Sequence, residues 1–240
     1  MGGAGLQPAY VLHSRRYRES SLIVEFITRD CGRIALAAKG AIGTKQPRQQ
    51  LLQPFSPLLL AWRGKGDLPT LTSLEPARVL PQIMGRTLYC GLYVNELVLK
   101  LTERNDPHSE LFLAYSACMQ DLIEAKGNNA ELEKTLRRFE LRLLNELGLG
   151  MLLDIDQQGL AIDPAAYYHY DFDAGPVIAR QDENSVAGAT LIALVSGEFS
   201  SEEQRLDARR LMRRVLGHHL GGRRLRSREL FKAASPAQYR

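Results

Sequence analysis

Residues 10–40, YVLHSRRYRESSLIVEFITRDCGRIALAAKG, decide the reading of this chain. Two apolar runs, 22–28 and 33–38, flank the tetrapeptide Arg29-Asp30-Cys31-Gly32. Val24, Phe26 and Ile27 suit a pleated, half-buried surface, and Asp30 and Gly32 supply turn chemistry between the runs. The spacing predicts a hairpin. Arg15, Arg16, Arg18, Arg29, Arg33 and Lys39 are interleaved with its apolar positions. Short strands carrying that much positive charge suggest a surface for a polyanion.

Working outward, residues 10–14 read as a first strand, 20–28 as the second and 33–38 as the third. Residues 40–50 (GAIGTKQPRQQ) form a polar, basic loop with Lys45 and Arg48. Residues 51–62 contain a strand whose start or edge is marked by Pro54 and Pro57. Residues 63–67 make a turn, and 68–74 (LPTLTSL) alternate and close the set. Five short strands within about eighty residues fit a five-stranded OB-type barrel.

From Met84 the apolar period changes to that of helices. Leu88, Tyr89, Leu92, Tyr93, Leu97, Val98 and Leu99 mark a helix apolar over much of its circumference, central to a bundle. Pro107 suits the first turn of the next helix, whose stripe is Leu111, Tyr115, Cys118, Met119 and Leu122. A third helix, residues 130–147, follows a stop-and-cap at Gly127-Asn128-Asn129. It presents Leu132, Leu136, Phe139, Leu143 and Leu147 on one face, and Gly148 ends it. Residues 149–183 lose the period and carry Tyr167, Tyr168 and Tyr170, which predicts a small irregular or β-rich insert. Residues 189–195 return to helix. Ser200-Ser201-Glu202-Glu203 opens another helix to about residue 216, with Leu206, Leu211, Met212, Val215 and Leu216 inward. A short helix spans 227–234. The expected architecture is therefore α+β: an OB-type domain over 1–80, then a mostly α-helical domain over 81–240 that contains the insert.

Charge is distributed unevenly. Residues 1–80 hold 11 Lys and Arg against 5 Asp and Glu; residues 81–195 hold 9 against 17; residues 196–240 hold 11 against 5. Two basic ends enclose an acidic middle, a pattern a nucleic-acid backbone would use, with solvated surface charge as the plainer reading. The chain lacks an apolar run of about 18 residues and a secretory leader pattern. Cys31, Cys90 and Cys118 have no C-x-x-C spacing, which argues against a disulfide framework or a zinc knuckle and for a reducing, cytoplasmic compartment.

Local catalytic motifs are missing. Gly40-Ala41-Ile42-Gly43-Thr44-Lys45 superficially resembles a phosphate loop, but only two residues separate its glycines and Gln-Pro follows Lys45. His218 and His219 are adjacent rather than i, i+4. Asp154, Asp156 and Asp163 lack EF-hand spacing and read as a solvated acidic loop. No Gly-x-Ser-x-Gly elbow occurs. No metal or cofactor is expected, and the chain is read as a binding protein rather than an enzyme. The alternatives kept are a protein–protein scaffold, an RNA-binding OB protein without annealing activity, and a nuclease or nucleotide-hydrolysing enzyme.

Three sets of arginines remain. Arg205, Arg209, Arg210, Arg213 and Arg214 recur at helical spacing, either for phosphates or for pairing with the acidic middle. Arg223 and Arg224 follow Gly221-Gly222. Arg137, Arg138 and Arg142 sit amid Leu136, Phe139 and Leu143, as a groove for an acidic peptide with an apolar anchor would require.

With these residues assembled, the chain resembles the RecO recombination-mediator family over nearly its whole length. The N-terminal blocks are Tyr-Val-Leu-His-Ser-Arg (10–15), Arg18-Glu19-Ser20-Ser21-Leu22, Gly32-Arg33, Ala38-Lys39-Gly40-Ala41, Leu52-Gln53-Pro54-Phe55 and Thr70-Leu71-Thr72-Ser73-Leu74-Glu75. Residues 88–97 (LYCGLYVNEL), Leu136-Arg137-Arg138-Phe139-Glu140, Leu220-Gly221-Gly222 and Ser227-Arg228-Glu229-Leu230-Phe231 complete them. The resemblance implies an OB domain followed by a helical domain, and a bacterial, nucleoid-associated DNA-repair role in the RecF pathway. It implies binding of single- and double-stranded DNA, strand annealing, and help in loading RecA onto coated single strands. It further implies partnership with RecR and with the acidic C-terminal tail of the single-stranded DNA-binding protein, docked near Arg137, Arg138 and Arg142. Some members carry a four-cysteine zinc module in the insert; residues 149–183 here have no cysteine, so zinc is not expected and tyrosine packing takes its place. The cations expected at DNA are Arg15, Arg16, Arg18, Arg33, Lys39, Lys45, Arg48, Arg209, Arg213, Arg223 and Arg224.

Overall fold

The computed structural model describes residues 5–42 and 48–233. Five strands close a barrel: β1 (Gln7–Tyr17), β2 (Ser21–Thr28), β3 (Gly32–Ala38), β4 (Pro57–Arg63) and β5 (Thr70–Pro76), in the neighbour order β1-β2-β3-β5-β4. The short helix α1 (Arg48–Leu51) lies between β3 and β4 in sequence. All pairings are antiparallel except β3 with β5, where Ala37 lies beside Thr70. Val11, Val24, Phe26, Leu36, Leu58 and Leu60 fill the interior, each side chain stabilising the fold by about 1.5–3 kcal/mol.

β1 is longer than expected, and it breaks in the middle. Its register against β2 shifts between Val11 and His13, a β-bulge. Before the bulge β1 pairs with β4 as well as β2 and is buried; after it, the strand pairs with β2 and is largely exposed. A bulge leaves carbonyls out of the ladder. Here the carboxamide of Asn95 donates to Leu12 O at 2.9 Å and, more weakly, to Val11 O at 3.4 Å. Its own Oδ1 accepts from the Tyr115 hydroxyl at 2.7 Å, and Tyr10 and Ser116 share a hydroxyl–hydroxyl bond of 2.8 Å. Burial holds the Tyr115 hydroxyl well above the usual tyrosine range, so it stays a donor. Asn95 belongs to α2 (Gly85–Leu101) and Tyr115 to α3 (Ser109–Glu124); the network fastens both helices to β1.

Two glycines permit the same docking. Gly32 sits at φ +66 in the β2–β3 turn, where a Cβ would fall 1.8 Å from the Asp106 carbonyl oxygen. A Cβ on Gly91 would lie 2.7 Å from the Phe55 ring. Pro107 precedes α3 by two residues instead of opening it, because Asn105 N bonds back to Arg33 O at 2.8 Å. Further along the chain, α7 (Ser227–Ala233) packs on α2. Glu96 caps it, accepting from Arg226 N, Ser227 N and the Ser227 hydroxyl at 2.7–2.9 Å, while Tyr89 and Phe231 meet edge to face.

Backbone proximity divides the described chain into two units: one lies within Met1–Met119 and Arg226–Arg240, the other is Gln120–Leu225. In the second, α4 (Asn129–Glu146), α5 (Gly188–Ser196) and α6 (Glu202–His219) pack together, with α6 against both others. Asn128 and Ser201 cap α4 and α6 through their side-chain oxygens. The insert is β-rich: β6 (Tyr167–Asp171), β7 (Gly175–Ala179) and β8 (Val186–Ala187) form a sheet in the order β7-β6-β8. Tyr168 and Tyr170 are buried in it, and the Tyr168 hydroxyl accepts from Asp163 N. Phe172 stacks on His218 at 4.1 Å. One expectation needs correcting here. Leu206 is exposed at 38% and not inward, since Ala208, Leu211, Met212, Val215 and Leu216 already form the buried stripe of α6. Within residues 51–62 the strand starts at Pro57, one of the two prolines expected to mark it, after α1 and a turn.

Replacing Asn95 with Leu takes the donor from two buried carbonyls. A loss of about 2–4 kcal/mol in unfolding free energy is expected by denaturant titration; a change within error would mean that these bonds do not hold α2 to β1. The Glu96 carboxyl supplies a pH test. Partial burial pushes its pKa up, but the Ser227 and Arg226 donors together with Lys100 outweigh that and hold it below its ordinary 4.5. A depressed folded pKa means that the cap is at full strength above the ordinary glutamate range and is lost as pH falls through the lowered value. Exchange protection of the Arg226 and Ser227 amides, corrected for intrinsic rates, should fall in that window, and the fall should be absent in Glu96→Gln.

Candidate nucleic-acid interface

Positive residues on the barrel fall into two groups, separated by whether a carboxylate lies in reach. Near the β2–β3 turn every cation is matched. Arg29 pairs with Asp30 at 3.0 Å. Arg33 donates to Glu25 at 3.0 Å and to the Thr102 carbonyl at 2.8 Å, with its side chain only 13% exposed. Arg104 reaches the other Glu25 oxygen. Expected at phosphate, Arg33 instead spends its donors tying β3 to the end of α2, because Glu25 opposes Ala35 two residues away on the neighbouring strand.

The other end of the sheet differs. Tyr17 opposes Ser21, Leu22 opposes Ala38, Ala37 lies beside Thr70, and Thr70 opposes Arg63. This chain of neighbours gathers the β1–β2 turn, the end of β3 and the β4–β5 turn, each step about 4.8 Å from the next. Arg15, Arg16, Arg18 and Lys39, all picked out in the sequence, come together here and are exposed. The structure adds Arg63 and Lys65, also exposed, whose Arg-Gly-Lys-Gly setting reads in sequence only as a turn. Among the described residues none of these six cations forms an ion pair. Glu19 and Asp67 are the acidic residues of the two turns. Backbone joins the turns as well: Ile42 N donates to Ser20 O at 3.1 Å and Ala37 N to Pro69 O at 2.8 Å. Lys45 lies outside the described residues, as does the side chain of Arg48.

The second unit uses many of its arginines internally. Arg205 and Arg209 of α6 converge on Glu133 of α4 at 3.4 and 3.5 Å, Arg210 pairs with Asp207, and Arg214 bonds the Asn184 carbonyl. Arg209, expected at DNA, is therefore a bridge between two helices. Arg213, Arg223 and Arg224 are exposed; Arg223 Nε donates to the Leu220 carbonyl at 2.9 Å. On α4 the expected peptide contacts also separate. Arg137 is buried, 7% exposed, and bonds Glu140 at 2.6 Å. Arg138 and Arg142 are exposed and continue the i, i+4 row begun by Lys134. Glu198 and Asp121 meet Lys134 and Arg138 at 2.5 and 3.0 Å. On α4 the cations thus form a row rather than the exposed consecutive pair Arg137-Arg138, and two of the three, Lys134 and Arg138, are matched to carboxylates.

No described helix is long and apolar enough to cross a membrane. Family models match almost the full length: "Recombination protein O N terminal" over residues 5–80 and "Recombination protein O C terminal" over 85–229. The chain is 44% identical over 231 residues to the DNA repair protein RecO of Methylococcus capsulatus, covering 96% of this chain and 94% of that one. It is 43% identical over 238 residues to the protein of the same name from Halorhodospira halophila, covering 97% and 99%. Sequence blocks, a closed five-stranded barrel, a helical region and these matches agree, and the chain belongs to the RecO family.

Proposed function

We propose that this protein is a DNA-binding recombination mediator without bond-making chemistry of its own. One observation carries the reading: six exposed cations, without ion pairs among the described residues, lie at one end of the barrel, while the cations near the opposite turn are matched to carboxylates. Unmatched guanidinium and ammonium groups on a regular scaffold neutralise phosphates and release their counterions. Relatives named as DNA repair proteins support the same role.

The reading extends to annealing. Two strands brought to one cationic surface repel each other less, and pairing follows. Arg213, Arg223 and Arg224 supply further phosphate contacts in the second unit. The exposed Arg142 and Arg138 on α4 take the acidic tail of the single-stranded DNA-binding protein, whose carboxylates replace Asp121 at Arg138. RecR and, through it, RecA are the remaining partners, and the site of action is the bacterial cytoplasm and nucleoid.

Six phosphates neutralised on a single strand predict a slope of about −4 for log K against log salt. A flat response in fluorescence anisotropy would end the phosphate reading. Combined Arg15→Glu, Arg16→Glu and Lys39→Glu substitutions should abolish strand annealing and leave thermal stability near that of the parent. Arg33→Glu should instead lower stability through repulsion from Glu25. Annealing should be retained on strands coated by the single-stranded DNA-binding protein and lost there in Arg138→Glu/Arg142→Glu, with annealing of naked strands kept; loss on both substrates would remove the α4 row from the proposal.

A further inference from the structure

The β1–β2 turn holds a strained residue. Arg18 adopts φ +58, the left-handed region that a β-carbon disfavours and glycine enters freely. Its guanidinium carbon lies over the Tyr17 ring, 5.1 Å from the centroid. Among the described residues the Arg18 side chain has no carboxylate and no hydrogen-bond partner, and it is exposed. A cation–π contact at an exposed position offsets at most part of the backbone cost. A glycine here would remove the strain, and a side chain pointing elsewhere would gain hydration. Strain kept at a ligand-facing turn is characteristic of a site whose geometry matters more than local stability.

The contact places a delocalised cation on an aromatic ring in the β1–β2 turn of the cationic end, where Arg16 opposes Leu22 and Leu22 in turn opposes Ala38, the residue before Lys39. Phosphate alone needs no such arrangement: a lysine at any rotamer would serve as a point charge. Unpaired bases stack on aromatic rings and on guanidinium planes; bases in a duplex are already stacked and offer only their edges.

We infer that Tyr17 and Arg18 form a stacking position for one unpaired nucleobase, which gives this end of the barrel a preference for single strands over duplex. The inference rests on the proposed polyanion reading and adds strand selectivity to it.

The test uses the full chain and three labelled probes in one low-salt buffer: oligothymidylate, a strand of equal length whose central residues are abasic, and a duplex. Arg18→Lys keeps the charge and loses the plane. It should weaken binding of oligothymidylate more than binding of the abasic strand or the duplex; Tyr17→Leu, which removes no cation, should bind oligothymidylate about tenfold more weakly and leave the other two probes unchanged. Arg18→Gly should melt higher than the parent while losing the same discrimination. Equal losses on all three probes, or an Arg18→Lys protein indistinguishable from the parent on oligothymidylate, would overturn the stacking position and leave phosphate binding standing. A parent protein that bound none of the three would overturn both.

Discussion

One buried carboxamide organises the first unit. Asn95 meets the carbonyls that the β1 bulge leaves out of the ladder, and Tyr115 completes its hydrogen bonding. In a water-poor setting each of these groups is expensive to leave alone, so the three elements that carry them have one favourable arrangement. The bulge then has a consequence further along β1. Ala9–Leu12 are buried, and Ala9 and Tyr10 pair on both edges; beyond Leu12 the strand leaves the core and runs out beside β2. Arg15 and Arg16 are adjacent in sequence and both exposed because that part of the strand has no core to face. The polar network inside and the cations outside are two results of the same register shift.

Identical side chains meet different fates according to what stands two strands or one turn away. Arg33 has Glu25 and a helix-end carbonyl in reach and becomes structural. Arg209 and Arg205 share Glu133. Among the described residues Arg15, Arg16, Arg63 and Lys65 have no such partner, and their charge faces solvent. An exposed pair contributes little to stability, whereas in a half-buried one such as Arg33–Glu25 loss of the cation leaves the carboxylate with Arg104 alone, a partner more exposed than Arg33. Net charge therefore overstates the binding surface, and pairing decides which part of it remains.

That distinction marks the limit of what the chain reveals before its structure. The hairpin at 22–38, the change of period near Met84, the caps at Asn128 and Ser201, and the tyrosine packing of the insert all follow from local chemistry, and each is legible in the residues that carry it. The extent of β1 was not, because a bulge interrupts the alternation by which a strand is recognised. Leu206 looked inward because it is apolar and near the right face, yet a helix needs only one stripe. Arg137 and Arg138 look alike in sequence, but successive helical residues point about 100° apart, and that rotation buries one and exposes the other. Arg63 and Lys65 stand among turn glycines and join the cationic end of the barrel only when Thr70 is seen beside both Ala37 and Arg63.

Phosphate contacts and base stacking respond differently to the needs of annealing. A protein that gripped every base would hold strands firmly and keep their pairing edges occupied. One that held only phosphates would bind duplex as readily as its precursors and retain its product. On the proposed reading the barrel end holds the backbone through several mobile cations and engages a base at one position, Tyr17–Arg18. Most bases then stay free to find their complements. Once they pair and stack, the single aromatic contact is lost, while the salt-dependent grip on phosphate persists at reduced strength. Release of the product is then built into the same few residues that capture the strand.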